Sequence, residues 1–205
     1  MASTPSIKGS VFAQVVEDVN KVRSGDRLAP GELERWLQPA DLALLSESIL
    51  VSDWYPIGAY ARMNEMLREV VGGGSNEYLR DQGRQTARRL LQAGLYQQLE
   101  YLQRAQVART AEPSQRAAAF GRDLRLLTTL SSSILNFSRW EVKADDMHAS
   151  RYVIEVADAL EFPEVLAWRS DGFVNQMATV HGDPDLWVWR REARDRIVFR
   201  MIRDI

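Results

Sequence analysis

The sequence predicts an α+β fold, in which an N-terminal helical bundle packs on an antiparallel sheet of two hairpins with one helix between them. The first observation is that apolar and polar residues alternate in several short segments after Ile134, the pattern of half-buried strands. The second is that the earlier segments repeat apolar residues at the 3–4 spacing of helices. Because an antiparallel sheet with one solvated face needs a cover on the other, we expect the helices to provide it.

The length of 205 residues is typical of one domain. We expect residues 1–6 to form a flexible tail and residues 7–205 to form a single α+β domain. Within it, residues 7–131 are predicted to be mainly helical, and residues 132–205 to form the strand, strand, helix, strand, strand unit. A separate sheet domain is not expected, since its sheet would then lack a cover.

The helices of the first part are bounded by residues that commonly begin or end helices, such as Gly72-Gly73-Gly74 followed by Ser75. Gly83 lies inside a predicted helix, where glycine costs up to about 1 kcal/mol against alanine, so we expect close packing against a neighbour there. Residues 52–56 are expected to interrupt the helices. The predicted helices span 8–22, 32–38, a short segment opened by Pro39, a segment opened by Pro56, 76–95, 96–109 and 115–130.

The strands of the second part are defined by their alternation. Trp187 and Trp189 are predicted to share one face, and Phe137 lies out of phase with Trp140, which indicates a bend or bulge near the first strand. Residues 145–148 are expected to form the first hairpin turn. The predicted strands span 136–143, 151–156, 186–190 and 196–203, with a helix at 162–180 between the two hairpins.

Composition excludes several classes of function. The chain has no cysteine, so disulfides, thiolate nucleophiles, cysteine zinc sites and iron–sulfur ligation are excluded. The net charge of −2 argues against binding to nucleic acid. The sequence contains no run of about 18 apolar residues, so no membrane-spanning helix is predicted. No secretory signal is expected either. We therefore expect a cytoplasmic protein without membrane insertion.

Catalytic, cofactor and metal sites are not predicted. His148, with Asp145 and Asp146, could hold a cation, but a solvated hairpin turn is the favoured interpretation. His181 is expected to cap a helix C-terminus, where a cation is favoured, rather than to act in catalysis. The three glycines before Ser75 lack the lysine and the preceding strand of a phosphate-binding loop, so a helix–helix linker is favoured.

A basic stripe is one candidate binding surface. Arg80, Arg84 and Arg88 recur every four residues, with Arg89 beside them. Guanidinium groups in a row can grip carboxylates, so the stripe is a candidate partner-binding site for an acidic protein. The alternative interpretation is a solvated helix face.

Aromatic residues provide a second candidate. Most are expected to belong to the core. The other interpretation is an apolar pocket between helices and sheet, in which a small hydrophobic ligand would bind. The candidate pocket residues are Trp54, Tyr55, Tyr60, Trp140 and Trp168.

Five short motifs occur along the chain: Ile7-Lys8-Gly9-Ser10, Trp54-Tyr55-Pro56, Leu79-Arg80-Asp81-Gln82-Gly83-Arg84, Phe162-Pro163 and Gly172-Phe173. Together with the order of the predicted elements, these motifs resemble an uncharacterised paralogous family found mainly in myxobacteria. The layout is also similar to the superfamily of haem nitric-oxide-binding, 4-vinyl-reductase-like and TRAPP domains. That resemblance implies a sheet packed on a helical bundle, often with a pocket between them, and pairing through the helices in some members. It implies none of the known cofactors, because the chain lacks the cysteine ligands and a helical histidine for haem.

Three functional hypotheses follow. The first is a non-enzymatic, cytoplasmic and regulatory protein-interaction module that forms a homodimer. The second is a small-molecule sensor that binds an apolar ligand between helices and sheet, without haem or metal. The third is an enzyme of unrecognised type, which would need a cleft with convergent polar groups of shifted pKa.

Overall fold

The computed structural model describes residues 4–25, 28–29, 31–92, 113–180 and 182–204, and it confirms the α+β class with antiparallel sheets. The predicted helix at 96–109 lies outside the described residues. In chain order the described elements are β1 (Ser6–Lys8), α1 (Gly9–Ser24), α2 (Glu32–Trp36), α3 (Pro39–Leu44), β2 (Trp54–Pro56), α4 (Ile57–Val70), α5 (Asn76–Gln92), α6 (Pro113–Ile134), β3 (Arg139–Asp145), β4 (His148–Ala157), α7 (Glu164–Val180), β5 (Trp187–Ala193) and β6 (Arg196–Met201).

The larger sheet joins the two predicted hairpins in the order β3-β4-β6-β5, with every neighbouring pair antiparallel. One row of apolar side chains crosses all four strands, because Val142, Ile154, Phe199 and Trp189 are successive partners in the register. These residues belong to the core or pack against it. Trp187 shares their face, as the alternation predicted. The sheet therefore presents a continuous apolar face to the helices.

The first hairpin has an irregularity, but it lies at a different place from the bend or bulge that the sequence predicted. The strand begins at Arg139, so Phe137 precedes it, and the register shift lies between Ala144 and Asp145 at its far end. The turn itself is confirmed, and the backbone N–H of Met147 donates a 2.9 Å hydrogen bond to the Asp145 carboxylate.

A second, two-stranded sheet was not predicted. β1 pairs antiparallel with β2, with Ile7 opposite Tyr55. Two expectations are therefore wrong: Ser6 belongs to a strand rather than to the tail, and Trp54–Pro56 is a strand rather than a simple interruption. The N–H of Ser6 also donates to the Asn136 side chain at 2.7 Å. This bond ties the start of the chain to the end of α6.

Helix α6 continues to Ile134, past the expected boundary at residue 131. Its last turns carry hydroxyl side chains that donate back to backbone carbonyls, from Ser132 to Thr128 at 3.1 Å and from Ser133 to Leu130 at 2.7 Å. Hydroxyl groups that bond within the helix in this way are compatible with helical backbone. The helical part of the chain therefore extends past residue 131, where the sequence analysis ended it.

Helices α5 and α7 are in backbone contact where two glycines meet. A Cβ atom added to Gly83 would lie 1.9 Å from the carbonyl oxygen of Arg169, and one added to Gly172 would lie 1.9 Å from the carbonyl oxygen of Arg80. Neither helix can carry a side chain at this crossing. The close packing predicted for Gly83 is confirmed, and the crossing fixes the separation of the two helices.

We expect Gly83→Ala to destabilise the protein by about 2 kcal/mol or more, measured as the free energy of unfolding in urea. The added methyl group meets backbone, which can yield only if the helices separate, and such overpacking exceeds the gain in helix propensity.

The matched control for this substitution is Gly58→Ala, another helical glycine, whose Cβ atom would first meet a side-chain atom, Nη1 of Arg62 at 3.2 Å, rather than backbone. It is expected to leave stability unchanged or to raise it slightly. Equal stability of Gly83→Ala and the wild type would contradict the account of the crossing.

Candidate functional site

A cavity of about 370 Å³ lies between the helices and the larger sheet. Its walls come from α1, α4, α5, α6 and α7 on the helical side and from β3 and β4 on the sheet side. Most of the lining is apolar, because these elements turn their core faces towards it. Representative lining residues are Val11, Leu90, Ile134, Trp140, Ile154 and Val174.

The helix crossing shapes one wall of the cavity. Gly83 lines it and contributes no side chain, while Phe173 and Arg169 of α7 line it from the facing helix. Because the backbone contact at Gly83 holds α7 in place, the side chains of α7 cannot shift into the space by sliding past α5. The cavity is therefore bounded by a rigid wall on this side.

A buried polar group lies within this apolar lining. Arg169 is only 5% exposed, and its Nη1 atom donates a 2.6 Å hydrogen bond to the side-chain oxygen of Asn64. Asn64 is itself fixed, because its Nδ2 atom donates to the backbone carbonyl of Tyr60 at 2.8 Å. The guanidinium carbon lies 5.7 Å from the centre of the Tyr60 ring, within the range of a cation–π contact.

The Tyr60 hydroxyl does not supply a negative charge to Arg169. Burial raises the pKa of Tyr60 above its ordinary value, and the nearby Arg169 charge opposes that rise without cancelling it. Tyr60 is therefore a neutral phenol at physiological pH. Among the residues that the structure describes, Arg169 makes no ion pair with a carboxylate.

Elsewhere in the fold, the positive charge of the Arg62 guanidinium is balanced by a carboxylate. Its Nε and Nη2 atoms donate to the two oxygens of Asp41 at 2.6 and 2.8 Å, a bidentate pair. Burial raises the pKa of Asp41, but the hydrogen bonds from Arg62 and from the Gln38 N–H outweigh burial and hold this pKa below its ordinary value. Asp41 is thus ionised and matched to Arg62.

A second arginine, Arg89, also lines the cavity, and its side chain is exposed to solvent. Its Nη1 atom donates to the side-chain oxygen of Gln14, and both residues line the space. Arg89 is exposed whereas Arg169 is buried, so the two guanidinium groups differ in how much water they contact.

Only part of the predicted aromatic pocket lines this cavity. Tyr60 and Trp140 do so. Trp168 does not, because its ring packs edge-to-face on Trp189, with the ring centres 5.2 Å apart, and its indole N–H donates to Glu164. Trp168 stays a predicted pocket residue that does not line this cavity.

Trp54 and Tyr55 do not line the cavity either. Trp54 is 43% exposed, and the Lys8 ammonium lies 4.2 Å from its ring centre. The Tyr55 ring stacks on Phe12 at 4.7 Å, and its hydroxyl accepts a hydrogen bond from the N–H of Leu50. Trp54 therefore contacts the facing strand of the small sheet, and Tyr55 joins this sheet to α1 and to the loop at Leu50.

The arginine stripe on α5 is largely engaged within the chain. Arg80 donates to Asp171 at 2.5 Å, and Arg84 donates to Glu77 at 2.5 Å and to Asp81 at 2.7 Å. The hydrogen bond from Arg84 is the main cause that lowers the pKa of Glu77, which keeps this partner ionised. Much of the positive charge that the spacing predicted is thus neutralised locally.

Arg88 differs from the other two members of the stripe. It is exposed, and its Nε atom donates a 3.1 Å hydrogen bond to the neutral side chain of Gln176. Whether the stripe binds a partner stays a prediction, with Arg88 as its most accessible residue.

The two histidines were the remaining candidate site residues of the sequence. His148 begins β4 opposite Asp145, and His181 lies outside the described residues. Within the described ranges, no group of three or more acidic or histidine side chains comes together in a way that could hold a metal ion. Nor is any described helix long and apolar enough to cross a membrane.

Comparison of the chain with protein-family models, curated proteins and solved structures finds no match. The resemblance to the myxobacterial family and to the haem nitric-oxide-binding, 4-vinyl-reductase-like and TRAPP superfamily therefore stays a prediction.

Proposed function

We propose that this protein binds a small, mainly apolar molecule in the cavity between its helices and its sheet. The observation that supports the proposal is an apolar space of about 370 Å³ with a few polar groups in its wall. Small-molecule sites are commonly of about 300–1,000 Å³, with an apolar lining and few convergent polar groups. This is the sensor hypothesis of the sequence, with a different set of lining residues.

The stability of the protein would depend on such a ligand. A dry apolar void destabilises a fold in proportion to its volume, because the lining atoms lose van der Waals contacts. A molecule that fills the space restores those contacts and binds only the folded state. Saturation at a hundred times Kd would add about 2.7 kcal/mol to the free energy of unfolding. That coupling is the physical basis of a sensor.

We expect the neutral fluorescent probe N-phenyl-1-naphthylamine to bind the wild type at one site per chain, and Thr86→Phe to weaken this binding at least tenfold. Thr86 lines the cavity from α5, so the aromatic ring would occupy the space that the probe needs. Binding is measured as the rise in probe fluorescence during a titration.

The matched control is Gln85→Phe, which places the same side chain at the neighbouring exposed position of α5. It should bind the probe as the wild type does. Absence of probe binding by the wild type, or equal binding by Thr86→Phe, would remove the proposal.

The interaction module is a second proposal. The specific observation in its favour is that Arg88 is exposed and that, among the described residues, its guanidinium group hydrogen-bonds to a neutral amide and forms no ion pair. If α5 mediates a homodimer, the wild type should sediment as a dimer and Arg88→Glu as a monomer at the same concentration.

Arg190→Glu, at an exposed position on β5, is the control for the change in net charge and should remain dimeric. Sedimentation of the wild type as a monomer at 100 µM, on the order of a thousandfold above a tight dimer constant, would contradict the homodimer. The interaction proposal in its self-pairing form would then be withdrawn.

A further inference from the structure

We infer that the ligand of this cavity is an amphipathic monocarboxylic acid whose carboxylate binds to Arg169. The inference rests on the proposed function and names the chemical class of its ligand. It follows from the hydrogen bonds that Arg169 makes, the charge that it carries and the character of the surrounding wall.

The hydrogen bonds of Arg169 leave one edge of its guanidinium group unused. An arginine side chain has five N–H donors. Nη1 donates to Asn64, whereas Nε and Nη2 donate no hydrogen bond to any residue in the described part of the chain. Those two atoms form the fork that binds the two oxygens of a carboxylate. Arg62 uses the same fork to bind Asp41 in this structure.

The buried positive charge of Arg169 also favours the binding of an anion. Removing a cation from water costs several kcal/mol unless an anion compensates it. Arg62 and Arg80 are less buried than Arg169, yet each contacts a carboxylate, at 2.6 and 2.5 Å respectively. Arg169 has the amide oxygen of Asn64 and the face of Tyr60, and both of these groups are neutral. A bound carboxylate would supply the compensating negative charge at a buried position, where the interaction between opposite charges is strongest.

The position of Arg169 is fixed by the fold. Its backbone carbonyl lies against Gly83, and its side chain is held by Asn64, which is held in turn by the carbonyl of Tyr60. The group is therefore pre-organised, and little conformational entropy is lost when a ligand binds.

The rest of the wall determines the other part of the ligand. Around Arg169 the lining includes Tyr60, Leu166, Phe173 and Val174, which offer apolar surface. A sugar or a nucleotide would leave many of its polar groups without partners there, at a large cost in free energy. An aliphatic or aromatic acid fits, with its apolar body in the cavity and its carboxylate at Arg169.

The test compares decanoate with decan-1-ol by isothermal titration calorimetry at pH 7.5, where the acid is ionised. We expect the wild type to bind decanoate at least tenfold more tightly than the alcohol. Arg169→Met removes the charge and should reduce this preference to less than twofold. Arg169→Lys keeps the charge without the fork and should retain part of the preference.

Arg89→Met removes the other arginine that lines the cavity and tests whether that guanidinium group is responsible for the preference instead. The matched control is Arg190→Met, at an exposed position of β5 that does not line the cavity, which should keep the full preference. A second pair, 2-naphthoate with 2-naphthalenemethanol, distinguishes an aromatic from an aliphatic acid. The pair that shows the larger preference for the acid over the alcohol identifies whether the apolar body of the ligand is aliphatic or aromatic.

Equal binding of acid and alcohol by the wild type would overturn the inference and leave apolar binding intact. If Arg89→Met loses the preference for the acid and Arg169→Met keeps it, the carboxylate binds to Arg89 and the inference is overturned. Failure of decanoate, decan-1-ol and the naphthylamine probe to bind would remove both the inference and the proposed function. If Arg169→Met does not fold, the wild-type comparison and Arg169→Lys still decide the question.

Discussion

The backbone contact between α5 and α7 is the constraint on which the rest of the structure depends. Gly83 and Gly172 let two helices approach until a carbonyl oxygen of each occupies the space of the other's missing side chain. The same contact brings Arg80 to Asp171 and holds the backbone of Arg169 at the wall of the cavity. Fold stability and the candidate site therefore share one structural origin.

Much of the fold could be predicted because its long elements have clear periodicity. The alternation in β4 to β6 and the helical spacing of α1, α4 and α5 follow directly from which faces are buried. The small sheet could not be predicted in this way, because three residues are too few to show a period. Its pairing of Ile7 with Tyr55 depends on residues 48 positions apart, a non-local contact that local pattern does not encode.

The candidate site was harder to predict than the fold. Tyr60 and Trp140 line the cavity, whereas Trp54, Tyr55 and Trp168 pack elsewhere, because aromatic content does not reveal which neighbour a ring contacts. Arg169 was missed because the chain is rich in arginine. A signal was present, however: Arg169 follows Leu166 by three residues and precedes Phe173 by four, so it lies on the apolar stripe of its helix.

The central claim is that this fold holds a small acid at Arg169. Native mass spectrometry of the protein purified from its own host under non-denaturing conditions tests it most directly. We expect each chain to carry one additional small mass, which is lost on denaturation and is detected as a carboxylate in negative-ion mode. A chain that carries no added mass, or that releases a neutral compound, would contradict the account.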